Sequence, residues 1–68
     1  MSTTSTYTVT GMTCGHCVAS VTEEVSAIAG VEDAAVALDS GVVTITSAEP
    51  IDPAAVRAAV EEAGYHLA

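Results

Sequence analysis

The chain has 68 residues, half of them apolar, with nine acids against the single base Arg57, no lysine and a net charge of −8. That length holds one domain, expected over residues 1–68; a core of this size rarely supplies more than roughly 3 to 5 kcal/mol of net stability, too little to sustain several buried catalytic groups. The charge repels nucleic acid and anionic membrane surfaces, which reward Lys and Arg, and no apolar run approaches the roughly 18 residues of a membrane span, so neither nucleic acid nor the bilayer is an expected partner.

The first residues, Met1 to Thr6, lack the basic region and apolar stretch of a signal peptide, which leads us to expect a cytoplasmic protein with reduced thiols. Residues 1–4 are expected to fray. From Thr3 to Thr10, Tyr7 and Val9 alternate with threonines, the period-two pattern of a strand with one buried face. Gly11 breaks that strand, and Met12-Thr13-Cys14-Gly15-His16-Cys17 follows, holding both cysteines of the chain.

Val18, Val21, Val25 and Ile28 then recur at helical spacing, which predicts an amphipathic helix from Gly15 to about Ile28, with Thr13 or Cys14 near its N-cap and Gly30 as a left-handed stop. Alternation returns in Val31 to Leu38, with Ala34, Val36 and Leu38 expected on the inner face. The turn Asp39-Ser40-Gly41 leads to Val42 to Thr46, with Val43 and Ile45 inward, completing a hairpin. Asp52 and Pro53 open a second helix whose inner stripe is Val56, Ala59, Val60 and Ala63, and Gly64 ends it. Tyr65 to Ala68 suffices for one short last strand.

The order β-α-β-β-α-β predicts an α+β, ferredoxin-like fold, a four-stranded antiparallel sheet with both helices on one face. That topology brings the loop after the first strand and the loop before the last one to the same end, placing Tyr65 near Cys14 and Cys17.

Two thiols at a strand-to-helix junction can meet at one ion, and thiolates select soft metals such as Cu(I). The helix N-terminus favours a thiolate, more at Cys17 in the first turn than at Cys14 in the loop. Three rivals stand beside this reading. A structural zinc site needs four ligands, and the chain offers only His16 and His66 besides the cysteines. A small dithiol oxidoreductase would use the same spacing, yet no proline lies between these cysteines and no later proline loop suits a substrate. The third rival is a pair with no function.

The run Gly11-Met12-Thr13-Cys14-Gly15-His16-Cys17 closely resembles the signature of heavy-metal-associated domains, in particular small bacterial Cu(I) chaperones of the CopZ type. The resemblance extends through Gly30-Val31, the Asp39 to Gly41 turn and Gly64-Tyr65. It implies a protein that is not an enzyme, in which Cys14 and Cys17 bind Cu(I) and pass it by ligand exchange to a copper-transporting P-type ATPase. By the same resemblance, Met12 packs beneath the loop rather than acting as a ligand, exposed His16 modulates the site, and Tyr65 lies over it. Thr13 stands where zinc-selective members carry an acid, which favours Cu(I), with Ag(I) as a surrogate and Zn(II) less suited. The missing lysines depart from the usual docking pattern, and an open site invites a copper-bridged homodimer. The alternative within the family is a metal-binding domain excised from the N-terminus of a copper ATPase.

Overall fold

The computed structural model describes residues 2–68. Six elements follow in order: β1 (Thr3–Thr10), α1 (Gly15–Ser26), β2 (Val31–Val36), β3 (Val42–Ser47), α2 (Pro53–Glu62) and β4 (His66–Leu67). The strands form one antiparallel sheet in the order β2-β3-β1-β4. This is the ferredoxin-like arrangement, and it places β1, which leads into the cysteine loop, in the interior of the sheet.

Alternation in β1 and β3 is what fixes their pairing. Tyr7 sits opposite Val43 and Thr8 opposite Val42, so Val9, Val43 and Ile45 turn to the same face. Val21 and Val25 of α1 and Val56 and Val60 of α2 close over them as one buried cluster. The cluster is built of β-branched residues alone, whose stiff side chains suit a thin, closely fitted core. Each fully buried side chain contributes roughly 1.5 to 3 kcal/mol, and partly buried residues such as Tyr7, Met12 and Leu67 pack against the cluster.

Several local expectations are corrected. Thr3 and Thr4 are paired with Ser47 and Thr46, so the first strand is ordered from Thr3; Met1 lies outside the described residues. Helix α1 stops at Ser26, short of Ile28, with Ala27 as C-cap, and Gly30 (φ +91) serves the turn into β2 instead. A bulge between Val31 and Asp33 shifts the phase of β2 and brings Val31 to the same side as Ala34 and Val36. Leu38, expected inside, lies beyond the end of β2 in the turn and is exposed.

The two helices begin differently. Asp52 accepts a hydrogen bond from the Ala54 amide at 2.9 Å, and Pro53 occupies the first helical position. Cys14 caps α1 in backbone conformation only, without a side-chain bond. Because α2 has this one side-chain cap, Asp52→Ala is expected to cost about 1 kcal/mol, and Tm should fall by roughly 4 to 8 °C. Thermal unfolding of Asp52→Ala beside Asp52→Asn checks it, since Asn restores the acceptor; equal losses would mean that the cap is not the cause.

The end of α2 is a Schellman motif: the Tyr65 amide donates to the Val60 carbonyl (3.0 Å), the Gly64 amide donates to that of Glu61 (2.9 Å), and Gly64 takes φ +95. That motif sets the direction in which Tyr65 leaves the helix.

Candidate metal centre

Three chain segments meet at one end of the sheet. The first is the loop from Gly11 to Cys14, and the second is the α2–β4 turn carrying Tyr65, whose ring lies 3.4 Å from where a Cβ on Gly11 would stand. The third is the hairpin joining β2 to β3, fastened by a hydrogen bond from the Val9 amide to the Gly41 carbonyl (2.8 Å). Sequence reasoning anticipated the first two and missed the hairpin. The signal was available in principle, since in an antiparallel pair the start of β3 must lie beside the end of β1.

Within the loop, the Cys14 and Cys17 Sγ atoms are 3.5 Å apart and both cysteines are free. Their surroundings differ. Cys14 is exposed, whereas Cys17 is 8% exposed and heads the stripe Cys17, Val21, Val25 that α1 turns to the core. The expected stripe began at Val18, which is half-buried. Extending its spacing back four residues from Val21 would have reached Cys17.

The Cys17 thiol has its pKa lowered from 9.0 to about 6. The Thr13 backbone is the foremost cause, hydrogen bonding to the sulfur; the Tyr65 hydroxyl comes next, and the Cys14 side chain and backbone add to both, while burial opposes them. The helix N-terminus was the cause expected from sequence; the Thr13 backbone and the Tyr65 hydroxyl act in the same direction. Seen from its partner, the same contact pushes the Tyr65 hydroxyl up: it must keep its proton to serve the Cys17 thiolate, and burial and the cysteine charges reinforce this. The Thr13 hydroxyl also lies 3.9 Å from Cys17 Sγ.

A pH dependence of folding follows. A thiol near 6 when folded and 9.0 when unfolded binds fewer protons in the folded state between those values, so stability rises from about pH 6 to about pH 9. Its contribution is complete above the unfolded value and is lost as pH falls through the folded one. Thermal melts of the reduced, metal-free protein across this window should show Tm climbing with pH, and Cys17→Ser should flatten the slope. A slope retained in Cys17→Ser would refute the assignment.

The other candidates fall into place around the pair. Met12 is half-buried and packs against the core, as a support for the loop. His16 is exposed in the first turn of α1, and His66 is exposed on β4 opposite Thr10. Among the described residues no three His, Cys, Asp or Glu side chains come together to hold an ion, so neither histidine joins the thiols as a third ligand. The arrangement is a two-sulfur site with one sulfur facing solvent and the other seated against the core.

Comparison with known proteins agrees with this construction. Residues 6–66 match the model of the heavy-metal-associated domain. The chain belongs to that family. Membership makes it a heavy-metal-binding module, and the family resemblance read from the Gly11 to Cys17 run is thereby shown. A structure of a CopZ metallochaperone superposes with a TM-score of 0.90 at 30% identity, covering 97% of this chain and all of that one. A copper-binding domain from HMA7, a P-type ATPase, superposes with a TM-score of 0.87 at 28% identity, covering 96% of this chain and 89% of that one. Copper-transporting ATPase 1 of Rhizobium meliloti (strain 1021) is 39% identical over 61 residues; the match takes in 90% of this chain, which spans 7% of the ATPase. No helix among the described residues is long and apolar enough to cross a membrane.

Proposed function

We propose that this heavy-metal-associated domain carries Cu(I) between the Cys14 and Cys17 thiolates and hands it, by thiolate exchange, to a matching site on a copper-transporting P-type ATPase. The observation that carries the reading is the sulfur pair itself: two free thiols 3.5 Å apart, one exposed and one buried. Two soft ligands suit Cu(I), and Ag(I) by the same chemistry, whereas zinc favours four. Exposed Cys14 is where an incoming thiolate adds to the ion. A three-coordinate intermediate forms before either original bond breaks, so the ion is never free. Cys17 is the anchor, kept as thiolate at neutral pH by Thr13 and Tyr65. In this reading residues 1–68 act as one cytoplasmic, non-catalytic domain, Tyr65 shields the ion, exposed His16 modulates its release, and His66 takes no part. The open site also admits a second copy through a shared ion, against the mutual repulsion of two chains at −8.

The match to a stretch of a copper ATPase favours a second reading, in which the same site is one domain of a larger transporter and the recipient is within the same chain.

The test titrates reduced protein with Cu(I) against a chromogenic Cu(I) chelator. Withdrawal of the ion at one per chain is expected, together with a rise in Tm. A ligand present at 100 times its Kd stabilises the folded state by about 2.7 kcal/mol, which corresponds to roughly 10 to 20 °C for a domain of this size. Failure to withdraw Cu(I), or an unchanged Tm, would overturn the proposal. Mixing the loaded protein with the apo metal-binding domain of a copper ATPase then tests delivery separately, by whether the ion moves.

A further inference from the structure

The hairpin tip between β2 and β3 presents Leu38, 40% exposed and the one large hydrophobic side chain left on the surface among the described residues. A single exposed leucine at a random position carries no message, but the position of Leu38 is not arbitrary. The Ala37 amide donates to the Val42 carbonyl (2.9 Å) and the Gly41 amide to that of Ala37 (2.8 Å), closing the turn with Leu38 outside it. The Val9–Gly41 bond fastens the tip to β1 two residues before Gly11, where the cysteine loop begins. The leucine therefore stands at the end of the molecule where Cys14 is exposed.

The charges at this end choose among occupants. Asp39 lies beside Leu38 in the turn, and Glu61 and Glu62 are exposed in the last turn of α2, just before Tyr65. That helix end has no base, although the carbonyl end of a helix favours positive charge. A second copy of the chain would meet its own acids there, whereas a basic surface would be drawn in.

We infer that Leu38 is the apolar anchor of a docking surface around the cysteine loop, bordered by Asp39, Glu61 and Glu62 and fitted to a protein partner whose receiving end is basic. The inference rests on the cargo reading above and adds to it the polarity and anchor of the encounter. Attraction speeds the approach and orients it. Leu38 holds the docked pair while the ion changes hands.

The chain itself supplies suitable probes. Cu(I)-loaded, ¹⁵N-labelled wild-type donor is mixed with one of two apo acceptors of equal net charge, and native mass spectrometry follows the ion. One acceptor carries Asp39→Lys, Glu61→Lys and Glu62→Lys; the other carries Glu32→Lys, Asp33→Lys and Glu49→Lys at the opposite end of the sheet. Transfer to the first should be about tenfold faster at low salt, the gap closing as ionic strength rises. Donor Leu38→Ser should slow that transfer about threefold at every salt concentration, with its affinity for Cu(I) unchanged.

Equal rates to the two acceptors, an indifferent Leu38→Ser donor, or fastest transfer to an unmodified copy would each overturn the inference. Should a triple variant fail to fold, the single changes Asp39→Lys and Glu49→Lys make the same comparison. A donor that cannot withdraw Cu(I) from the chelator refutes the cargo reading, whereas a competent donor indifferent to these changes refutes the docking surface alone.

Discussion

Cys14→Ser is expected to lose the contest with a Cu(I) chelator outright, its affinity falling by a factor on the order of 10³ or more, which is about 4 kcal/mol. The reason lies in the number and softness of the ligands. A site of two sulfurs that loses one retains a single bond to the ion, and a neutral hydroxyl is a hard, weak substitute for a thiolate. Because Cys14 is exposed, the substitution leaves the core untouched, and the folded protein should melt almost as before without metal. Cys17→Ser should abolish binding equally but also destabilise the fold by about 1 to 3 kcal/mol, since it buries a hydroxyl beneath the loop. Chelator competition and metal-free melts on the same samples separate the two effects. Either variant holding Cu(I) as tightly as wild type would refute the two-thiolate site, and catalytic reduction of a disulfide substrate would favour an oxidoreductase instead.

Gly41→Ala should be the most damaging small substitution outside the site. Its φ of +74 places any side chain in the left-handed region, at a cost of roughly 1 to 2 kcal/mol. The added Cβ would also stand 2.5 Å from the Val9 carbonyl oxygen, a contact that only backbone movement can relieve. Moving that backbone weakens the Val9–Gly41 hydrogen bond and disturbs the strand that carries the cysteine loop. Set against roughly 3 to 5 kcal/mol of net stability, this should lower the urea midpoint by half or more. Gly64→Ala provides the control, because Gly64 has the same sign of φ with open space around its Cβ. Equal losses in the two variants would mean that the contact with Val9 contributes nothing.

Much of this architecture was legible because it rests on local periodicity. The threonine alternation of β1, the paired Val43 and Ile45, the Asp52-Pro53 start and the Gly64 stop each depend on neighbours within a few residues, and all are observed. The tyrosine beside the loop followed from topology. What escaped depended on contacts distant in sequence. The bulge after Val31 reflects how β2 registers on β3, and Leu38 left the core because Ala37 and Gly41 close the turn before the alternation can reach it. The pair of cysteines could be named from the sequence, and so could the greater thiolate character of Cys17, but not its burial. Cys17 is buried, and charged more readily, because α1 docks through it and because the Thr13 backbone and Tyr65 reach its sulfur.

Helix α1 begins at a residue whose side chain does not cap it, and no acid occupies its first turn. Nearly any designer of a stable helix would put Ser or Asp at that position; here Cys14 holds it, with its sulfur turned toward its partner. The negative charge at the start of the helix is supplied instead by the Cys17 thiolate. Helix α1 thus forgoes a side-chain cap, worth about 1 kcal/mol, at the residue where the exposed thiol stands.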